Sequence, residues 1–174
     1  THYYWSRYDE YMKRPGFGLF DPLARLGLKL LVKPMRRWDY RAAQQPDVMI
    51  ANSNYIKQQI KQYYGRDAAV IHPPVDTLRF AGTSKLARKG FIVAGRQTPY
   101  KRFDLAVQAC SKLDQSLVVA GNGPDHKRLK KLAGPSVSFL TDVSDGEMPL
   151  LFQTAEAFIF PGIDDFGITP VEAM

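Results

Sequence analysis

The sequence predicts an α/β protein whose main body is a doubly wound parallel sheet, preceded by part of another domain. Two observations carry this. In the second half of the chain four short apolar runs, Phe91–Ala94, Leu117–Ala120, Val137–Leu140 and residues 157–160, alternate with amphipathic stretches of helical period. Strands separated by single helices need crossover connections, and right-handed crossovers give a parallel sheet covered on both faces. Each run also stops at a polar or glycine-bearing loop, which is where open parallel sheets bind ligands.

In chain order, residues 1–20 are aromatic and irregular: Tyr3, Tyr4, Trp5, Tyr8, Tyr11, Phe17 and Phe20, broken by Pro15, Gly16 and Gly18. A loop and short helix packed on a domain is expected there, although such aromatics also stack on sugars or bases. His2 has no visible partner. Residues 21–45 are predicted helical, started by Asp21 and Pro22. Leu23, Leu26, Leu30 and Trp38 supply an apolar side, and Arg25, Lys29, Lys33, Arg36, Arg37 and Arg41 a basic one. Pro34 is expected to kink or divide this helix. Such a helix either covers a core stripe with a solvated face or lies on an anionic membrane surface.

Residues 47–51 read as a buried strand. Asn52 and Ser53 then cap a helix through Tyr64, with Ile56, Ile60 and Tyr63 on one face and Gly65 ending it. Residues 69–71 form the next strand, closed by His72. The segment 75–80, followed by Gly82, Thr83 and Ser84, marks a boundary. Beyond it Phe103, Val107 and Cys110 line the first helix of the doubly wound part. Residues 124–133 form a helix whose Lys127, Arg128, Lys130 and Lys131 read as a solvated face. Ser144 caps a third helix carrying Met148, Leu151 and Phe152. Three segments follow: residues 1–74, a linker at 75–88, and the sheet domain at 89–174. The chain starts with Thr and stops within an expected helix, so it is read as a piece of a longer protein.

Composition sets broad limits. At 45% hydrophobic and 24% charged residues the chain is ordinary globular protein. Cys110 is its one cysteine, which excludes an internal disulfide framework and suits a reducing compartment. No apolar run approaches the roughly 18 residues of a membrane span, and no signal peptide is visible. The net charge of +7 favours an anionic partner without choosing among nucleotide, nucleic acid and lipid headgroup. No His/Cys/Asp cluster has metal-ligand spacing.

The chemistry is expected at the carboxyl ends of the four strands. After the first come Gly95 and Arg96, then Lys101 beyond a turn with Pro99, so both cations can converge on one anion. After the second, Gly121, Asn122 and Gly123 let backbone approach a ligand closely. Thr141 and Asp142 follow the third. After the fourth comes a loop with Asp164 and Asp165, then Gly167, Ile168 and the start of a helix. There Thr169 is the expected N-cap and Pro170 suits the first turn. The free N–H groups of that turn suit an anion. Asp164 and Glu172, eight positions apart, suit hydroxyls, because carboxylates only accept hydrogen bonds. Phosphate plus polyol describes a nucleotide sugar.

These features together resemble the donor-binding half of the retaining glycosyltransferases of family 4, which have the GT-B fold with Rossmann-like halves. The resemblance covers roughly residues 47–174. It rests on Ala51 to Ser53, Pro73 to Asp76, the turn from Gly95 to Arg102, Ala120 to Pro124, and above all Asp165 to Ala173. That last segment is similar to a mannosyltransferase-like branch acting on surface polysaccharides, and Trp38 to Arg41 are compatible with it. The family signature carries Glu at both ends; this chain has Asp164 at the first.

The resemblance implies that residues 1–74 end an acceptor domain and that 89–174 bind the donor. Arg96 and Lys101 would hold the donor diphosphate and Glu172 the ribose hydroxyls. Asp164 would sit by the transferred sugar, and Gly167 and Ile168 N–H groups at the phosphates. Phe139 and Leu140 would lie near the base. It implies transfer from a nucleotide sugar, GDP-mannose favoured, to a glycan or lipid-linked acceptor, without a metal or other cofactor. A cytoplasmic enzyme is expected, and the basic helix adds the alternative of peripheral contact with an anionic membrane through residues 25–41. A functional histidine is expected in the acceptor domain outside this chain, so the fragment alone is expected to be inactive. A nucleotide-sugar epimerase, a basic nucleic-acid-binding module and a binding-only remnant stand as alternatives. The aromatics at 1–20 do not interleave with the basic helix, which argues against nucleic acid.

Overall fold

The computed structural model describes residues 5–6, 8–13, 21–82 and 85–174. His2, Tyr3, Tyr4, Pro15, Gly16, Phe17, Gly18 and Phe20 lie outside the described residues, as do Thr83, Ser84 and the side chain of Tyr11. The chain divides into two compact units, Thr1–His72 and Pro73–Met174.

In the first unit, α1 (Tyr8–Lys13) precedes the long helix α2 (Asp21–Ala43). Then β1 (Ile50–Ala51), α3 (Asn54–Tyr64) and β2 (Ala69–Val70) make one crossover unit with parallel strands. Ser53 caps α3 as expected, its Oγ accepting from Ile56 N–H at 3.1 Å. Gly65 ends it in the left-handed conformation, φ 69°, donating back to Lys61 O. Ala51, Ile60, Tyr64 and Ala68 form the small core. Trp5 closes it: the indole stacks on Tyr63 at 5.0 Å, and its Nε1–H donates to buried Asp39 at 2.7 Å. Tyr64 O–H donates to the same Asp39 oxygen, also at 2.7 Å.

Two readings of α2 are narrowed by the structure. Pro34 does not divide the helix, which runs through it without interruption. The hydrogen bond it cannot make is to the carbonyl of Leu30, whose turn faces solvent, where water can take the carbonyl. And the apolar side is not a core stripe among the described residues: Leu23, Leu26, Leu30 and Trp38 are all exposed, while Val32 and Asp39 are buried.

The second unit opens with α4 (Thr77–Phe80), one turn capped by Asp76 and lying within residues 75–88. There follow β3 (Phe91–Ala94), α5 (Phe103–Lys112), β4 (Leu117–Ala120), α6 (His126–Leu132) and β5 (Val137–Leu140). The chain ends with α7 (Met148–Thr154), β6 (Ala157–Phe158) and α8 (Ile168–Glu172). All four strands are parallel, in the order β5-β4-β3-β6.

The alternation of each strand produces two cores. Val93, Leu117 and Val119 point one way and pack with Phe103, Val107, Cys110 and Leu129 of α5 and α6. Ile92, Ala94 and Ala120 point the other way and pack with Phe152 and Ala155, joined by Phe80 and Phe158. Helices on both faces make the sheet doubly wound, as the sequence predicts.

Three boundaries differ. The strands expected at 47–51, 69–71 and 157–160 are two residues each. Ser144 does not cap α7 itself. Its N–H and hydroxyl both bond Glu147 Oε2 in the turn before it, and Glu147 occupies the cap position. At α8 the cap position belongs to Gly167, φ 82°, not Thr169, which lies inside the helix. The left-handed turn that redirects the chain there suits glycine and costs a threonine.

Candidate functional site

The strand order changes direction at β3: the chain moves outward to β4 and β5, then returns to place β6 on the other side. The loops leaving β3 and β6 therefore flank a topological switch point, the place where open α/β sheets bind ligands. The β3 loop carries Arg96 and Lys101, and the β6 loop carries Asp164.

Lys101 ends a 3-10 turn (Pro99–Lys101) and turns its Nζ toward Asp164 Oδ2 at 3.2 Å. Both side chains are largely buried, 17% and 28% exposed, so the pair is screened less than a surface one. Its ammonium also lies over Gly95: a Cβ there would sit 3.5 Å from Nζ. The two loops touch through backbone as well. A Cβ on Gly162 would come within 2.8 Å of Lys101 Cα and O. Arg96, on the same loop as Lys101, is exposed, with no ion-pair partner among the described residues.

The β4 loop lies against the β3 loop. Gly121, φ 106°, leaves no room for a side chain, since a Cβ would meet Gly95 O at 2.4 Å. At Gly123 a Cβ would meet Gln97 O at the same distance. The glycines expected to admit a ligand thus admit the neighbouring loop, whatever else they do. Asn122 turns its side-chain oxygen onto Gly123 N–H at 2.8 Å, closing its own turn.

Two further groups complete the rim. Phe139 and Leu140 border a cleft of about 440 Å³ at the end of β5, with Thr141, Asp142, Glu147 and Leu151. At α8, Gly167 is buried, Ile168 exposed and Thr169 half-buried. Glu172 makes its ion pair with Arg79 of α4, Oε1 to Nη2 at 3.7 Å. That pair belongs to the α4–α8 contact. The structure thus brings Lys101, Asp164, Gly95 and Gly162 together directly, and Glu172 instead meets Arg79.

Motif reading passed over three residues. Arg79 lies in the segment taken only as a boundary. Gln97 and His126 are paired side chain to side chain at 2.8 Å, 29 residues apart, and no local pattern announces such a pair. Beside them Arg128 grips Asp125 with two bonds of 2.7 Å and lies 3.9 Å from Asp104, which also takes Arg102. The Asp125 carboxylate, with the help of Asp104, pushes the Arg128 guanidinium pKa upward against the opposing effect of burial. Arg102 itself holds a left-handed backbone, φ 54°.

Among the described residues no group of three His, Cys, Asp or Glu side chains is placed to hold a metal ion. None of the described helices is long and apolar enough to cross a membrane.

A parallel, doubly wound sheet with cations and a carboxylate at its switch point defines a Rossmann-like ligand-binding domain. Residues 74–174 match the family model described as "Glycosyl transferases group 1", and residues 18–79 match "Glycosyltransferase Family 4". The chain belongs to the group 1 glycosyl transferases. No curated protein matches it. Among solved structures it is similar to AviGT4, a glycosyltransferase involved in avilamycin A biosynthesis: 24% identity, TM-score 0.56, covering 71% of this chain and 41% of that one. It is also similar to the catalytic domain of starch synthase IV from Arabidopsis thaliana bound to ADP and acarbose: 15% identity, TM-score 0.56, covering 77% and 38%. At these identities the likeness establishes the GT-B type of fold. The chain spans about two-fifths of the length of the solved structures it matches.

Proposed function

We propose that this chain contributes the donor-binding half of a retaining hexosyltransferase. The enzyme takes a sugar from a nucleotide diphosphate sugar, GDP-mannose being favoured, and passes it to a glycan or lipid-linked acceptor in surface polysaccharide synthesis. The observation that carries the reading is the Lys101–Asp164 pair at the switch point, with exposed Arg96 on the same loop as the lysine. That the starch synthase domain is bound to ADP supports a nucleoside diphosphate as the class of ligand.

In this reading Arg96 and Lys101 hold the diphosphate, with the N–H groups of Gly167 and Ile168. When the bond from anomeric carbon to phosphate oxygen breaks, charge grows on the diphosphate. Cations already fixed there stabilise that charge more than the ground state and so lower the barrier. They take the part a divalent metal plays elsewhere, and no metal cofactor is assigned. Asp164 accepts from hydroxyls of the transferred sugar, Glu172 from the ribose, and Phe139 and Leu140 border the base. Residues 1–74 are assigned to the acceptor domain, 75–88 to the linker and 89–174 to the donor domain. The protein works in the cytoplasm, touching anionic membrane through residues 25–41.

Calorimetry of the chain with GDP, UDP and ADP tests the reading. One of the three binds, and Arg96→Ala and Glu172→Ala each weaken it by about tenfold, the worth of one charge-assisted contact. A folded chain that binds none of them ends the donor-site assignment.

A further inference from the structure

We infer that Gln97 is a positioning residue, locking the β3 loop onto the β4 loop so that Arg96 and Lys101 are held in place for a diphosphate. The inference rests on the donor-site reading above.

Gln97 is 0% exposed, although Arg96 before it is exposed and Thr98 after it is half-buried. A buried amide is tolerated only when its polar atoms are bonded, and here they are. Nε2 donates to Gly121 O at 2.5 Å, and Oε1 faces His126 Nδ1 at 2.8 Å. The backbone repeats the pattern: Gln97 N–H donates to Asn122 O at 2.9 Å, and its carbonyl accepts from Asp125 N–H at 3.0 Å. One residue thus bonds three residues of the β4 loop and the first residue of α6.

The chemistry of the partners fixes the amide's direction. A carbonyl only accepts, so the NH₂ group must face Gly121 O, and Oε1 is left for His126. The ring therefore carries a hydrogen on Nδ1. Its edge packs on Phe139 at 5.4 Å and 83°, and Lys130 sits 6.0 Å from the same ring. The lock consequently ties the ends of β3, β4 and β5 to one another.

The two cations need this support unequally. Lys101 has Asp164, but Arg96 has no ion-pair partner among the described residues, so its aim depends on the backbone next to Gln97. Glycine at 121 and 123 allows the loops to meet, since a Cβ at either would lie 2.4 Å from a β3-loop carbonyl oxygen. Gln97 then fixes how they meet.

The test compares a nucleoside diphosphate with its nucleoside on the whole chain, using whichever of GDP, UDP and ADP binds best. Gln97→Met keeps the length and removes both side-chain bonds. Diphosphate affinity is expected to fall by about tenfold, the equivalent of one or two lost buried hydrogen bonds. Nucleoside affinity, read by competition, is expected to stay within about twofold. Equal loss for both ligands, or no loss with only a lower melting temperature, overturns the positioning role. If Gln97→Met does not fold by circular dichroism, His126→Ala carries the comparison: a diphosphate-selective loss supports the inference and unchanged binding overturns it. A wild-type chain that binds none of the three diphosphates removes the donor-site reading first, and is distinguishable because no variant is then involved.

Discussion

Lys101 and Asp164, 63 residues apart in sequence, meet at 3.2 Å across the switch point of the sheet. The contact satisfies the lysine in the resting site, so an arriving phosphate must compete with Asp164 for it.

That competition is measurable. Asp164→Ala is expected to raise the affinity for inorganic pyrophosphate by about fivefold, corresponding to about 1 kcal/mol for a partly screened pair. Lys101→Met is expected to lower it by more than about tenfold. Calorimetry reads both, and a decrease with Asp164→Ala would show that the carboxylate orders the lysine more than it occupies it.

The loop glycines make a second prediction. Gly121→Ala meets a carbonyl oxygen at 2.4 Å on a backbone of φ 106°, and Gly123→Ala meets one at 2.4 Å. Each is expected to destabilise the second unit by about 2 kcal/mol or more. Gly27 in α2 has nothing within 4 Å of its added Cβ, so Gly27→Ala is expected to stabilise by about 0.5–1 kcal/mol. Urea titration monitored by circular dichroism compares the three; a harmless Gly123→Ala would mean the loops do not touch.

Arg102 offers a test of sign. Its left-handed backbone, φ 54°, opposes any Cβ, while its side chain bonds Asp104 at 3.1 and 3.4 Å. Arg102→Ala loses the bonds and keeps the strain; Arg102→Gly loses both. The glycine variant is therefore expected to be the more stable of the two by about 1 kcal/mol. The reverse order in thermal melts would show that the turn relaxes when the arginine is cut back.

The turn before α7 carries a pH dependence. The Ser144 hydroxyl first, and its backbone N–H second, hold the Glu147 carboxyl below its ordinary value of 4.5. A depressed folded-state pKa adds stability that is fully present above the ordinary value and is lost as pH falls through the folded one. The stability gap between wild type and Glu147→Gln is thus expected to be widest near neutrality and to narrow on acidification below the ordinary value of 4.5. Denaturant titrations across that range check it, and a constant gap would contradict it.

Much of the architecture was legible because its causes are local. Ser53 and Gly65 bracket α3 with a side-chain acceptor and a left-handed turn, both recognisable from residue type. The runs Phe91–Ala94, Leu117–Ala120 and Val137–Leu140 are strands at those bounds, since apolar residues buried on two faces show as continuous runs. What escaped is non-local. Nothing near Gln97 announces His126, and nothing near Glu172 announces Arg79, because those pairs exist only once helices are packed. The cap of α8 went to Gly167 because backbone direction outweighed the hydroxyl of Thr169. Lys101 and Asp164 were each placed at a strand end by spacing, while their contact follows from β6 inserting beside β3.

The placement of Trp5 has a spectroscopic consequence. Both tryptophans of the chain, Trp5 and Trp38, belong to the unit Thr1–His72, and the sheet domain holds neither. Trp5 is stacked on Tyr63 and bonded to a buried carboxylate, while Trp38 is 69% exposed. Intrinsic indole fluorescence excited on the red edge therefore reports the melting of one unit and is blind to the other. Circular dichroism sees both, so the two signals recorded together separate their unfolding without any label.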